Sequence, residues 1–213
     1  MKPLKSFILL LGITLPGLAM AGAQVYQPLS ASVQAALYKS VSDSASPRLA
    51  FANAQEAQAW LNTMSQRLER YIPDADKRRE LLTTIQYEAA RAGLDPQLVL
   101  GLIQVESGFK KYAVSSAAAR GYMQIMPFWV KLIGTSDQNL FHLRTNLRYG
   151  CTILRYYLDV EKGNLYRALG RYNGSLGQPE YPNIVLGAWK HQWAWNYNPN
   201  RKTAEQTAIK RPG

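Results

Sequence analysis

Apolar residues recur at steps of three and four along most of the chain, and this spacing predicts α-helices. The first stripe lies within residues 54–72, a second ends at Gly93, and Asp95 followed by Pro96 is a helix cap with proline at the first helical position. The stripes consist of Ala57, Trp60, Leu61, Met64, Leu68 and Tyr71; Leu81, Ile85, Ala89 and Ala92; Leu147, Cys151, Leu154 and Leu158; Leu165, Ala168, Leu169 and Tyr172; and Ile184, Ala188 and Trp189. No segment shows the sustained alternation that is typical of strands. The pattern therefore predicts an all-α fold.

The N-terminus has the features of a secretory signal peptide over residues 1–21. Lys2 and Lys5 precede a short apolar run, and a small-residue cleavage site ends at Ala21, with cleavage after Ala23 as an alternative. A membrane anchor would need about 18 apolar residues, and this run ends after roughly a dozen. We therefore expect no stable membrane span after cleavage, and a periplasmic or secreted protein.

The rest of the chain divides into three parts by composition. The pattern predicts an N-terminal helical extension or linker over residues 22–75 and the main helical domain over residues 76–195. It predicts a polar basic tail over residues 196–213. The helix within residues 54–72 could bind a partner, but we expect it to dock on the domain that follows it.

Composition limits the chemistry that the domain can carry. A single Cys and two His far apart in the sequence provide neither an internal disulfide nor a metal-ligand cluster, so we expect no metal and no cofactor. Cys151 lies on an apolar stripe, where a small buried side chain is expected rather than a nucleophile. The formal net charge of +11 favours an anionic partner.

One carboxylate occupies an unexpected position. Glu106 follows Val99, Leu102 and Ile103 on the apolar face of the helix that begins at Pro96. Because burial disfavours a charged carboxylate, its pKa is expected to rise, which suits a general acid near neutral pH. The alternative is a side chain at a fraying helix end that extends into solvent. Position alone does not separate the two.

Several short motifs occur in order around Glu106. They are Glu106-Ser107-Gly108-Phe109, Gly121-Tyr122-Met123-Gln124-Ile125-Met126-Pro127, Asn139-Leu140-Phe141, Thr145-Asn146-Leu147-Arg148-Tyr149-Gly150 and Arg171-Tyr172-Asn173-Gly174. Together they resemble the signature segments of the lytic transglycosylases of the soluble, goose-lysozyme-like type, and the resemblance covers residues 93–189. It implies that residues 76–195 form a lysozyme-like helical domain and that this is the catalytic domain.

The resemblance also implies roles for individual residues. Glu106 would be the sole catalytic acid and base, and the other matching residues would contact substrate: Ser107, Met123, Gln124, Tyr172, Asn173 and Tyr181. Taken alone, Tyr172 and Met123 would be core residues, and Asn173 would be part of a turn.

The chain departs from the family pattern in three places. Tyr122 stands where the family usually has Leu, and Ala118 where it usually has Gly. The Tyr-Asn pair is followed by Gly174 and then Ser175, whereas the family usually has a small residue and then Gly. These differences concern loop geometry and groove packing, not the acid.

The activity implied by the resemblance is cleavage of the bond between N-acetylmuramic acid and N-acetylglucosamine in peptidoglycan, with a 1,6-anhydro product. A lysozyme-type hydrolase with the same acid and a non-catalytic wall-binding or assembly protein are the alternatives. The partner would be the peptidoglycan glycan strand, and a cell-envelope machinery that needs a local opening is left open as a second partner. Nucleic acid is not expected, because export removes its rationale and no basic patch with interleaved aromatic residues stands out.

Overall fold

A computed structural model describes residues 24–43 and 45–197 of the chain. The predicted signal peptide, residues 1–21, lies outside the described residues, as do residues 198–213 of the predicted tail.

The described residues form eight α-helices and one π-helical turn. In chain order they are α1 (Ala31–Ser42), α2 (Ala54–Leu68), α3 (Ala75–Arg91), α4 (Pro96–Ser107), α5 (Phe128–Ile133), α6 (Leu143–Val160), α7 (Leu165–Asn173), α8 (Glu180–Ala188) and the π-helical turn Trp189–Trp193. Within this part of the chain, the β-structure consists of isolated bridges between Val114 and Arg120 and between Arg120 and Ile125. The prediction of an all-α fold is therefore confirmed. None of the helices in residues 24–43 and 45–197 combines the length and apolar content that crossing a bilayer requires.

Helix α4 lies at the centre of the molecule. Asp95 caps it by accepting a hydrogen bond from the backbone N–H of Gln97, as the sequence predicts, and Gly108 ends it in the left-handed conformation. It packs against α3, α8 and the π-helical turn. Its side chains are buried on several faces, so its last turn carries Glu106 into the interior.

The lone thiol lies in the core. Cys151 is 1% exposed on α6, and Leu147 and Leu154 on the same stripe are fully buried. Burial raises the pKa of the thiol far above its usual range, with a smaller contribution from the charge of Glu88. The prediction of a small buried side chain at this position is confirmed.

The N-terminal part contains one helix that the sequence pattern does not predict. Helix α1 begins after Ser30, which caps it, and buries only Leu37 and Val41. Helix α2 ends at Leu68, four residues before the end of the predicted stripe. Its buried side chains pack against α3, so this helix docks on the helices that follow it.

A cluster of charged residues joins the end of α1 to the main helices. Arg148 donates three hydrogen bonds to the fully buried carboxylate of Glu88, at 2.8 to 3.2 Å. Arg91 donates to the Asp43 carboxylate at 2.9 Å, and the backbone N–H of Ala45 donates to the same group at 2.9 Å. These contacts hold the pKa of Asp43 below its ordinary value, the Ala45 hydrogen bond being the largest cause and Arg91 a smaller one. The chain after α1 is thereby fixed to α3 and α6.

Candidate active site

Glu106 lies in the last turn of α4 and is 4% exposed. The hydroxyl of Tyr181, in α8, donates a hydrogen bond to Glu106 Oε1. Ser107, the next residue, donates instead to the backbone carbonyl oxygens of Tyr122 at 2.7 Å and Ile103 at 3.2 Å. The α4 terminus thus presents one buried carboxyl group whose orientation is fixed by a neighbouring phenol.

Two phenols share the electrostatic environment of this carboxyl group. Burial is the main cause that raises the pKa of Tyr181 well above its usual range, and the charge of Glu106 and the hydrogen bond to it add to the shift. Burial followed by the charge of Glu106 also raises the pKa of Tyr172. Both phenols therefore remain protonated at neutral pH and can act as hydrogen-bond donors.

The loop before α5 is held in place by buried polar contacts. Asn146, on α6, accepts a hydrogen bond from Met123 N at 2.8 Å and donates to the carbonyl oxygens of Arg120 and Leu140, each at 2.8 Å. Gly121 has φ +74°, and a Cβ there would lie 2.4 Å from Asn146 Nδ2, so this position requires glycine. The structure therefore gives Asn146 a clear role in fixing this loop.

Three residues predicted to contact substrate have interior positions in this structure. Met123 is fully buried, and a Cβ on Gly150 would lie 2.2 Å from its sulfur atom. Gln124 Nε2 donates to the carbonyl oxygens of Gly121 at 2.9 Å and Ala113 at 3.2 Å. The hydroxyl of Tyr172 donates to the carbonyl oxygen of Met123 at 2.8 Å. Their described contacts support the loop, and a direct role toward substrate stays a prediction.

An open groove of about 740 Å³ is bordered by Tyr181, the hydrogen-bond partner of Glu106. Its wall includes Val105, Asn173, Tyr181 and the exposed apolar side chain of Ile184. Asn173 Nδ2 donates to Ser175 Oγ at 3.1 Å, and among the described residues its buried Oδ1 has no hydrogen-bond partner. Asn173 and Tyr181 therefore border a space that could accept a polar ligand.

The structure describes two of the positions that depart from the family pattern. Ala118 has φ +65°, a left-handed conformation that glycine adopts more easily, which explains why the family usually has glycine there. Tyr122 is 8% exposed, so its ring packs inside the molecule.

The motifs do not indicate a further contact, which joins Gln24 and Trp129. Gln24, outside the region of resemblance, is 4% exposed and accepts a hydrogen bond from Trp129 Nε1 at 2.9 Å. Hydrogen bonding with the Gln24 side chain also lowers the pKa of Tyr172, against the larger effect of burial. No sequence pattern links residues so far apart, so this contact could only come from the structure.

The part of the chain that contains the candidate site is similar to known proteins. Residues 83–181 match the model of the Transglycosylase SLT domain. The transglycosylase of Enterobacteria phage PRD1 is 35% identical over 98 residues, which cover 46% of this chain and 36% of the phage protein. Membrane-bound lytic murein transglycosylase C of Yersinia pestis (strain Pestoides F) is 30% identical over 132 residues, covering 54% of this chain and 34% of that protein.

A shorter and more similar segment is shared with membrane-bound lytic murein transglycosylase C of Actinobacillus pleuropneumoniae serotype 5b (strain L20). The two are 47% identical over 49 residues, which cover 23% of this chain and 13% of that protein. The chain thus spans about a third or less of the length of these relatives. The resemblance seen in the motifs is confirmed by these matches, which are to the Transglycosylase SLT domain over residues 83–181 and to proteins named as transglycosylases.

Proposed function

We propose that the protein is a lytic transglycosylase that cleaves the β-1,4 bond between N-acetylmuramic acid and N-acetylglucosamine in peptidoglycan. The observation that carries this proposal is the buried carboxyl group of Glu106, which is oriented by Tyr181 beside an open groove within the SLT domain. A buried carboxyl group whose phenol partner borders an open groove suits general acid catalysis.

Glu106 would act twice in the reaction. In its protonated form it gives its proton to the glycosidic oxygen as the bond to C1 of the muramic acid breaks, while the sugar's own N-acetyl oxygen stabilises C1. The ionised Glu106 then takes the proton of the C6 hydroxyl, whose oxygen forms the new bond to C1. The proton balance closes, no water is consumed, and the product is a 1,6-anhydro sugar. Tyr181 would orient the carboxyl group in both steps.

Two other carboxylates of the domain are paired with arginine side chains, and a third borders the groove. Glu161 is bound by Arg167 and Arg171, and Asp159 by Arg155. Glu180 is exposed at the start of α8 and borders the open groove. It is therefore the carboxylate whose removal best tests a two-carboxylate hydrolase.

The charge of the domain suits the proposed substrate. Residues 96–195 contain eleven Lys and Arg and five acidic residues, while the stem peptides of peptidoglycan carry carboxylates. We also propose a periplasmic or secreted location, supported by the predicted signal peptide.

The test is mass spectrometry of the products that the purified protein releases from sacculi. The wild type is expected to release 1,6-anhydro muropeptides, and Glu106→Gln should reduce release by about 10²-fold or more because the side chain can no longer carry the proton. Retention of sacculus binding by Glu106→Gln would show that the groove is intact.

Two further variants sharpen the assignment. Glu56→Gln changes a partly buried residue of α2 that is not part of the groove wall, and it should leave release unchanged. Glu180→Gln should still give the anhydro product. Products heavier by one water molecule, together with loss of activity in Glu180→Gln, would instead identify a hydrolase that uses two carboxylates.

A further inference from the structure

The groove that Tyr181 borders has an apolar stretch along α8. Ile184 is 57% exposed on its wall, and Val105 and Ala188 also belong to this stretch. Residues three and four apart lie on the same face of a helix, so Tyr181, Ile184 and Ala188 follow one another along α8. An apolar wall with a few polar groups is typical of ligand-binding sites. The stretch thus leads away from Tyr181, the partner of Glu106, along one face of the helix.

Gly187 lies in this stretch, and packing among the described residues does not explain it. A Cβ at Gly187 would have no atom within 4 Å outside its own helix and chain neighbours. At the other three glycines of the described helices, a Cβ would lie 3.2 Å or less from another part of the protein: Gly101, Gly150 and Gly170. Glycine is a poorer helix former than alanine, because it loses more backbone freedom on folding. The missing side chain of Gly187 therefore weakens the helix and leaves open space in the groove.

The open space lies on the path of a ligand that extends from the candidate acid along α8. Gly187 follows Tyr181 by six residues, which corresponds to about 9 Å along the helix axis. Tyr181 is the wall residue that donates a hydrogen bond to Glu106. A polymer bound at Glu106 and running along this face would therefore pass Gly187.

The polar part of the wall consists mainly of amide groups, which are those of Gln104, Asn173, Gln178 and Gln192. The described residues of the wall include no Lys or Arg, although the chain has a formal net charge of +11. Glu180 adds a carboxylate, which disfavours an anionic ligand. Carboxylates are bound most strongly by cationic side chains, whereas amides can donate to and accept from hydroxyl and amide groups. The wall therefore suits an uncharged ligand better than the carboxylates of a stem peptide.

An N-acetylglucosamine residue combines an apolar methyl group with hydroxyl and amide groups, and it carries no charge. We infer that the space at Gly187, flanked by Ile184 and Ala188, is a subsite for the acetyl group of a sugar in the glycan strand. The subsite binds the strand independently of its stem peptides. The identity of this ligand rests on the proposed function. Gly187 determines how well the strand fits, because a larger side chain would fill the space that the acetyl group needs.

The first test measures the binding of chitotetraose, an uncharged tetramer of N-acetylglucosamine, by isothermal titration calorimetry. Every full-length protein carries Glu106→Gln, so that the ligand stays intact. Gly187→Leu should raise Kd by about tenfold or more, because the added side chain occupies the subsite. Asn183→Leu is the control, since it adds the same side chain at an exposed position of α8 that is not part of the wall. It should leave Kd unchanged.

Thermal melting shows whether the variants are folded. Because a Cβ at Gly187 meets open space, Gly187→Ala should raise Tm by about 2–4 °C through the better helix propensity of alanine. The same variant should weaken chitotetraose binding, but less than Gly187→Leu does. Unfolding cannot explain a variant that is more stable and binds less tightly. An unchanged Kd in folded Gly187→Leu, or no binding of chitotetraose by the parent protein, would overturn the inference.

The second test compares glycan strands that carry stem peptides with the same strands after an amidase has removed the peptides. The Glu106→Gln protein should bind the two forms with Kd values within about twofold of each other, and Gly187→Leu should weaken the binding of both. About tenfold weaker binding of the stripped strands would show that the groove recognises stem peptides, against the inference.

The outcomes separate the subsite from the proposed function. If the wild type releases anhydro muropeptides from sacculi but Gly187→Leu leaves the Kd for chitotetraose unchanged, the proposed function stands and the subsite is wrong. If Gly187→Leu weakens binding but the wild type releases no anhydro product, the subsite is supported and the proposed lytic activity is wrong.

Discussion

At the scale of single residues, the site separates groups that face Glu106 from groups that hold its surroundings. Tyr181 donates directly to the carboxyl group, whereas Tyr172 donates to the backbone of the loop that carries Met123. The family resemblance assigns both phenols to substrate contact. In the structure the hydroxyl of Tyr172 also donates a hydrogen bond to the protein backbone. A role in substrate contact and a role in stability predict different effects of removing this hydroxyl.

Tyr172→Phe tests this difference. The substitution keeps the ring but leaves the Met123 carbonyl oxygen without its phenol donor in a fully buried position. We expect the free energy of unfolding to fall by about 1–2 kcal/mol, as measured by urea denaturation. Tyr112→Phe is the control, because Tyr112 is 71% exposed and should be insensitive to the same change. An unchanged midpoint with reduced cleavage would assign the Tyr172 hydroxyl to substrate alone.

At the scale of elements, helices with strong end signals and a full apolar stripe were predictable. Helix α4 has the cap at Asp95 and proline at its first position, and the structure keeps both. Helix α1 buries only Leu37 and Val41, so its pattern is too weak to stand out. Helix α5 has six residues, fewer than two turns, and its periodicity cannot be recognised in the sequence.

The site was predictable to the extent that its residues lie in short motifs. Glu106 was indicated by its apolar face and by the motif around it, and Tyr181 by the resemblance, yet their hydrogen bond needs the packing of α8 against α4. The contact between Gln24 and Trp129 joins residues separated by 105 positions. Neither residue carries a local pattern for such a contact, because it arises only from tertiary packing.

The contacts of Asp43, which follows α1, lead us to expect that the stability of the protein depends on pH. The pKa of Asp43 is lowered from 3.8 in the folded protein, first by the Ala45 N–H and also by Arg91. A lowered pKa means that the ionised form is favoured by folding, so its contribution to stability is present above about pH 4 and is lost as the pH falls through the folded pKa. The difference in Tm between the wild type and Asp43→Asn should therefore be largest near neutral pH and shrink below about pH 4.

A matched control uses a carboxylate in a more exposed pair. Asp159 pairs with Arg155 one helical turn away, and Asp159→Asn should change Tm little because exposed pairs contribute little to stability. If Asp43→Asn gives the same Tm difference at pH 7 as at pH 3, the charge of Asp43 does not stabilise the connection between α1 and the main helices.

At the scale of the whole molecule, the N-terminal helices and the SLT domain share one core. Helix α1 packs against α5 and α6, and α2 packs against α3 and the π-helical turn. Arg67, on α2, donates to the carbonyl oxygens of Gln192 at 3.1 Å and Ala194 at 2.9 Å, which lie at the other end of the chain. We therefore propose that residues 24–75 unfold together with residues 76–195 and do not act as a separate linker.

Leu37→Ala tests this cooperativity, because Leu37 lies on α1 and is 8% exposed. If the helices form one unit, the loss of this side chain should lower the stability of the whole protein by about 2–4 kcal/mol. Helical circular dichroism, tryptophan fluorescence and the reactivity of the Cys151 thiol should then shift to the same lower urea midpoint. Tyr38→Ala, at a 47% exposed position on the same helix, should leave all three midpoints near those of the wild type. Because Cys151 lies on α6, continued protection of its thiol after α1 has melted would show that the N-terminal helices unfold independently.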